Sequence, residues 1–302
     1  MSLAALHARL VSVLGERVRP NEPLARHTSY RIGGPADLLV RPDTADELAV
    51  VVREAAGHGV RLTLLGGGSN MLVGDGGIRG GVVKLGREFR RIEWRPGSVR
   101  AGAAVQLGKL AREAVRRALS GLEHAEGIPG TVGGALFMNA GAYGGEVAGV
   151  VEAVEGLDGH GKLVALDRDA VAFTYRRAHL PAGFVVTAVT FALRPDDPGA
   201  LRERMDGVRA RRIASQPHGQ PNAGSIFKNP RGDHAGRLIE AAGLKGWRVG
   251  GARFSERHAN FIVNDGRARA ADVCALMATA QRAVWERSGV WLEPEVRLVG
   301  SW

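Results

Sequence analysis

Gly66-Gly67-Gly68-Ser69-Asn70 follows directly on a short apolar run, residues 60–65, and this strand-then-glycine order decides how the rest of the chain is read. Successive backbone N–H groups in such a loop can surround a phosphate, and the missing side chains let the backbone approach it closely. The natural ligand is a pyrophosphate-bearing cofactor. The residues alone leave a second reading open, a tight turn that needs positive φ. No stretch reads G-x-x-x-x-G-K-[ST], which excludes a P-loop, and no strict G-x-G-x-x-G opens a helix, which disfavours a Rossmann site. A dinucleotide bound here therefore calls for some other fold.

Toward the N-terminus, Leu3, Leu6, Leu10 and Val13 recur at helical spacing while His7 and Arg9 interrupt any signal-peptide core. Residues 1–19 thus predict an amphipathic helix and no targeting segment. Thr44-Ala45-Asp46-Glu47 reads as a capping box opening a helix that runs to about residue 56, where Gly57 and Gly59 end it. Toward the C-terminus, strands over 81–85 and 99–103 precede a helix whose Leu107, Leu110, Ala111, Ala114, Val115 and Ala118 form one stripe. A second glycine system, residues 127–145, is free of charge and nearly long enough to span a bilayer. Its Pro, its Asn and its repeated Gly make it a loop system instead.

Residues 150–157 and 163–166 flank Asp158-Gly159-His160-Gly161 as a hairpin, and 184–193 is another strand. Arg194-Pro195-Asp196-Asp197-Pro198-Gly199 favours a turn at almost every position, so the expected division is a domain over 1–195 and a smaller one over 196–302. In the smaller one the pattern is α+β, with helices near 200–214, 235–242 and 270–287 and strands near 260–263 and 291–298.

The 302 residues, 45% apolar and 24% charged, exclude collagen-like, coiled-coil and disordered classes. Against 31 Asp and Glu stand 41 Lys and Arg, a net charge of +10 that favours anionic partners. Only five of those cations are lysine: Lys84, Lys109, Lys162, Lys228 and Lys245. Cys274 is the one cysteine, so no intramolecular disulfide forms and cysteine-rich metal sites are excluded. A reducing, cytoplasmic setting fits best. The nine histidines show no H-E-x-x-H or other ligand spacing, so no metal is expected.

Gly127-Ile128-Pro129-Gly130-Thr131-Val132-Gly133-Gly134 sets a rigid Pro and four Gly around a Thr hydroxyl, suited to close backbone approach to a planar or anionic ligand. Glycine packing alone is the other reading. Ser225-Ile226-Phe227-Lys228 fits the S-x-x-K pattern of serine acyl enzymes, yet the companion K-T-G and S-D-N are absent. Tyr175-Arg176-Arg177 and Glu293-Pro294-Glu295-Val296-Arg297 carry charges that most often face solvent. The Arg-rich stretch with Arg202, Arg204, Arg209, Arg211 and Arg212 lacks aromatic interleaving, which favours a solvated face over a nucleic-acid site.

Taken together, six segments in register resemble one family. They are Pro23-Leu24-Ala25-Arg26-His27-Thr28-Ser29-Tyr30-Arg31-Ile32-Gly33-Gly34-Pro35-Ala36-Asp37, Gly66 to Asn70, Gly127 to Gly145, Tyr175-Arg176, Gly224-Ser225-Ile226-Phe227-Lys228-Asn229-Pro230 and Glu293 to Val296. The chain resembles the UDP-N-acetylenolpyruvoylglucosamine reductases, in the shorter branch that lacks a long tyrosine-bearing insertion. The resemblance runs from about residue 21 to residue 299.

That resemblance implies an α+β fold: a two-lobed FAD-binding domain of the vanillyl-alcohol-oxidase (PCMH) type, then a smaller α+β substrate-binding domain whose last strand returns toward the flavin. It implies FAD held non-covalently, since Gly66 to Asn70 contains no His or Cys, with NADPH as co-substrate. Cofactor contacts fall on Gly66, Gly67, Gly68, Ser69 and Asn70 for the pyrophosphate, and on Gly127, Ile128, Gly130, Thr131, Gly133 and Gly134 along the flavin. The implied reaction reduces UDP-N-acetylglucosamine enolpyruvate to UDP-N-acetylmuramate, by hydride transfer from reduced FAD and protonation of the resulting carbanion. Arg176 and a protonated Glu295 would stabilise that carbanion, burial beside other carboxylates being what keeps such a group protonated, and Ser225 would protonate it. Tyr175, Lys228 and Asn229 are the implied substrate contacts. The partners implied are small polyanions that a basic cleft attracts, with neither nucleic acid nor membrane, and a monomer is expected.

Overall fold

The computed structural model describes residues 2–302, which form two compact units interleaved along the chain. The first holds residues through Pro20, Leu38–Gly67 and Gly80–Arg211; the second holds Asn21–Asp37, Gly68–Arg79 and Arg212–Trp302. The expected division at 195/196 does not coincide with them. Arg194–Pro195 pairs with Leu119–Ser120, and the turn-rich stretch then starts a helix that stays with the first unit through Arg211.

The first unit has two hydrophobic cores. One gathers the buried faces of α1 (Leu3–Leu14) and α2 (Ala45–Gly57) with Leu38, Val40, Val83 and Leu157. In α1 the buried stripe is Leu6, Leu10 and Leu14; Val13, expected on that face, is exposed, because a 3.6-residue repeat places the fourth contact one position later. Half of the expected capping box is present: Thr44 Oγ1 accepts from the Glu47 N–H at 3.2 Å. The Glu47 carboxylate, though, accepts from the Asp43 N–H at 2.7 Å and takes both ends of the Arg17 guanidinium. That guanidinium holds the Glu47 carboxyl below its ordinary value.

The other core lies on an antiparallel sheet of five strands, in the order Leu163–Asp167, Val151–Leu157, Val185–Ala192, Ser98–Gly102, Ile92–Arg95. The expected 158–161 hairpin is its edge, Asp158 Oδ1 accepting from the His160 and Lys162 N–H groups. Helix α3 (Leu107–Arg116) buries Leu107, Leu110, Ala111, Ala114 and Val115 on this core. The segment 127–145 is not a loop throughout: Val132–Phe137 is a short helix, α4, with Thr131 as its cap. Two glycines in six residues erase its periodicity, and Gly133 is needed there, since a Cβ on it would lie 2.9 Å from that of Ala103. Helix α5 (Pro198–Ser215) adds Leu201 and Met205 to the same core.

The second unit packs α6 (Ala235–Ala241) and α7 (Ala270–Ser288) with an antiparallel sheet of Arg248–Val249, Ala252–Phe254 and Ile262–Asn264. Tyr30 is fully buried in this core, and its hydroxyl donates to the Ile262 carbonyl at 3.0 Å. Burial pushes that phenol well above its ordinary pKa, so it remains a donor. The strand expected over 291–298 is confined to Arg297–Val299, which pairs in parallel with Met71–Val73, the strand leaving the glycine loop. Residues 293–296 bond instead to the 226–228 segment, with Pro294 in an isolated antiparallel bridge to Phe227.

Candidate active site and cofactor site

Within the first unit the two glycine systems touch backbone to backbone. A Cβ on Gly67 would stand 2.8 Å from Gly130 Cα, and one on Gly66 would stand 2.7 Å from Thr131 Oγ1. Gly130 is fixed from behind: its carbonyl accepts from the Leu107 N–H at 3.1 Å, and the Val132 and Gly133 N–H groups donate to Val105 and Ala103. Gly127 and Gly130 take φ of +73 and +113, a region open to glycine at little cost, and the Ile128 N–H donates to the Ala125 carbonyl. Thr131, buried, caps α4, whose Gly134 N–H reaches its hydroxyl. The loops thus meet with Gly67 against Gly130 and Gly66 against the Thr131 hydroxyl, and such a cradle suits a dinucleotide lying along exposed backbone.

In the same unit Tyr175 and Arg176 form the turn of the hairpin Ala172–Thr174 and Arg177–His179, with Arg176 at φ +60 and its guanidinium 4.8 Å from the centre of the Tyr175 ring. Buried Asn139 ties this hairpin to the second glycine system. Its amide donates to the Thr174 carbonyl at 3.1 Å and its oxygen accepts from the Ala148 N–H at 3.0 Å. Sequence reasoning did not single out Asn139; its one signal there is a polar residue inside a charge-free run.

Within the second unit, Ser225 to Lys228 lie between two clamps. On one side buried Asn260 accepts from the Phe227 N–H at 2.9 Å and donates to the Phe227 carbonyl at 2.8 Å, while its own carbonyl takes the Ile226 N–H. On the other side the Lys228 N–H donates to Glu293 at 2.9 Å and the Glu295 N–H donates to Ile226 at 2.8 Å. Ser225 and Glu295 are thereby brought onto neighbouring segments. The Asn70 amide donates to the Glu295 carbonyl at 3.1 Å and the Arg297 N–H returns to the Asn70 carbonyl, so the end of the glycine loop joins the same construction. Gly68 sits at φ +61 with the His27 carbonyl where a Cβ would point. Ser69 lies beside it, half-buried.

Two of the expected substrate contacts have partners of their own. Lys228 Nζ pairs with the exposed Glu293 carboxylate, and Asn229 Oδ1 accepts from the Ala235 N–H at 3.1 Å, at the start of α6. No group of His, Cys, Asp and Glu among the described residues is arranged to hold a metal ion. No helix among them is long and apolar enough to cross a membrane.

Residues 36–167 match the FAD binding domain family, and the glycine cradle falls inside that match. The chain is an FAD-dependent oxidoreductase with an α+β fold. Residues 216–299 match the family described as UDP-N-acetylenolpyruvoylglucosamine reductase, C-terminal domain. The reductase of that name from Moorella thermoacetica is 47% identical over 301 residues, covering 100% of this chain and 99% of the relative. One from Symbiobacterium thermophilum, UDP-N-acetylenolpyruvoylglucosamine reductase 2, is 48% identical, covering 99% and 98%. A crystal structure of UDP-N-acetylenolpyruvylglucosamine reductase from Thermus caldophilus superposes with a TM-score of 0.80 at 40% identity, covering 91% of this chain and 97% of that one. The chain belongs to the UDP-N-acetylenolpyruvoylglucosamine reductase family, whose activity lies in peptidoglycan precursor synthesis.

Proposed function

We propose that this protein reduces UDP-N-acetylglucosamine enolpyruvate to UDP-N-acetylmuramate with NADPH, in the cytoplasm, where both nucleotides are available. FAD, when bound, carries the hydride between the two substrates. The observation that carries the assignment of residues is the pairing of the Ser225–Lys228 segment with residues 293–295, held to Asn70 at the end of the glycine loop.

The chain's own groups then have distinct tasks. The backbone of residues 66–70 and of 127–134 holds the cofactor, and the missing side chains at Gly66 and Gly67 are what let the two loops come together this closely. Addition of hydride to the enolpyruvyl methylene carbon leaves negative charge at the adjacent carbon and its carboxylate. Arg176 offsets that charge, and Glu295 in its acid form donates a hydrogen bond to it. Ser225 passes the hydroxyl proton to the α carbon; a hydroxyl is a weak acid, but against a carbanion the transfer runs downhill once the two are in reach. Tyr175, Lys228 and Asn229 bind the nucleotide sugar, Lys228 exchanging Glu293 for a phosphate oxygen of the substrate.

Ser225→Ala tests the central assignment. Flavin reduction by NADPH should proceed at the wild-type rate, and reoxidation by the enolpyruvyl substrate should be nearly abolished. Reoxidation within a few-fold of wild type would remove Ser225 from the role of acid.

A further inference from the structure

Ser29 holds a place in the second unit that the reaction alone does not explain. Its N–H donates to the Gly68 carbonyl at 3.0 Å, and its hydroxyl donates to the Asn222 carbonyl at 2.7 Å while lying 3.3 Å from the Gly68 carbonyl. Asn222 in turn accepts on Oδ1 from the Gly224 N–H at 2.9 Å, and Gly224, at φ +75, turns the chain directly into Ser225. At the other end of the glycine loop Asn70 donates to the Glu295 carbonyl, and the Glu295 N–H reaches Ile226, the residue after Ser225.

These links close a ring. It runs from Ser29 to Gly68, along the loop to Asn70, across to Glu295, back through Ile226 and Ser225 to Asn222, and from there to the Ser29 hydroxyl. The ring has little slack at Gly68, because the His27 carbonyl lies 2.2 Å from where a Cβ would sit and Thr28 Cα lies 2.8 Å from it. Thr28 is itself fixed, its hydroxyl donating to the Ile32 carbonyl at 2.8 Å. The segment 27–29 therefore cannot follow Asn222 without also moving Gly68.

We infer that Ser29 is a positioning residue that couples the cofactor loop to the proton donor: with residues 66–70 ordered around a pyrophosphate, the Ser29 hydroxyl sets the backbone at 222–225 from which Ser225 acts. This rests on the reading that residues 66–70 hold FAD and that Ser225 is the acid. The coupling is a linkage, so it acts in both directions: whatever orders one loop stabilises the ordered form of the other.

The test uses the full chain with and without FAD, as wild type, Ser29→Ala and Ser29→Thr. Amide hydrogen exchange of the wild type should slow at residues 222–226 on FAD loading. Ser29→Ala should lose that slowing while keeping the FAD-linked protection at 66–70. In stopped flow, Ser29→Ala should be reduced by NADPH within about twofold of the wild-type rate, yet be reoxidised by saturating enolpyruvyl substrate about tenfold more slowly, the effect of losing roughly one hydrogen bond in the positioning of the acid. Ser29→Thr, which keeps the hydroxyl, should restore both properties. If Ser29→Ala does not fold, Ser29→Cys, a weak donor of similar shape, is read in the same way. Equal slowing of both half-reactions, or FAD-linked protection at 222–226 that survives the loss of the hydroxyl, would overturn the proposal. Wild-type protein whose reduced flavin is not reoxidised by the substrate would overturn the underlying reading and the proposal with it, and that failure is recognised because it is present before any substitution.

Discussion

Adding one methyl group at Gly67 presses on the contact between the two glycine systems. The new Cβ would stand 2.8 Å from Gly130 Cα, 3.5 Å from its carbonyl carbon and 3.6 Å from its nitrogen. Carbon atoms rest at about 3.5–4.0 Å, so the loops must part by about 0.7–1.2 Å. Gly130 cannot yield alone, since its carbonyl is tied to α3 through Leu107 and the next two N–H groups are tied to Val105 and Ala103. Overpacking of this kind costs about 1–3 kcal/mol. Shared between folding and cofactor binding, that amounts to roughly a 5- to 150-fold loss in the two equilibria combined. The assay is an FAD titration of apo Gly67→Ala followed by fluorescence quenching, paired with a denaturant melt of the same apo protein. Gly57→Ala is the control: at the end of α2 a Cβ there meets nothing within 4 Å, and the substitution should be neutral or stabilise by up to about 1 kcal/mol. If Gly67→Ala binds FAD within about twofold of wild type and melts unchanged, the close approach of the two loops is not what shapes the cradle.

Asn139→Ala leaves the Thr174 carbonyl and the Ala148 N–H without their partner and keeps a non-glycine residue at φ +41, so a loss of about 2–5 kcal/mol is expected in urea melts. A loss below about 1 kcal/mol would contradict the role given to this clamp. His124 packs against Gly145, and its buried Nε2 has no hydrogen-bond partner among the described residues. Burial lowers the pKa of its ring, so below about pH 6.5 the unfolded chain takes up the proton first and stability falls with pH toward the folded value. The stability of His124→Phe should therefore depend less on pH between 7 and 5 than that of wild type; parallel thermal-melt profiles would refute this. Asp75 accepts from the Ala270 and Ala271 N–H groups at 2.9 and 3.1 Å at the start of α7, and Asp75→Ala should cost about 1–2 kcal/mol by denaturant melt.

Elements that rest on local pattern were legible before the fold was known. The α3 stripe from Leu107 to Val115 and the 158–161 hairpin both emerge from neighbours a few residues apart. Helix α4 was hidden because its Gly133 answers to Ala103, thirty positions away, and not to helical periodicity. The interleaving of the two units was hidden for a similar reason: Asn21–Asp37 and Gly68–Arg79 carry no compositional mark that sends them to the C-terminal unit. At the candidate site the residue types stood out in short motifs, whereas the clamps did not. Ser29 reaches Asn222 across 193 residues, Asn260 reaches Phe227 across 33, and Asn70 reaches Glu295 across 225. A side chain that bonds to distant backbone leaves no spacing to read.

The most direct measurement is an absorption spectrum of the purified protein under anaerobic conditions, taken before and after NADPH and again after UDP-N-acetylglucosamine enolpyruvate. Flavin bands that bleach with NADPH and return with the enolpyruvyl substrate are the expected result. Bands that bleach but return only when oxygen is admitted, or a protein that stays colourless after incubation with FAD, would contradict it.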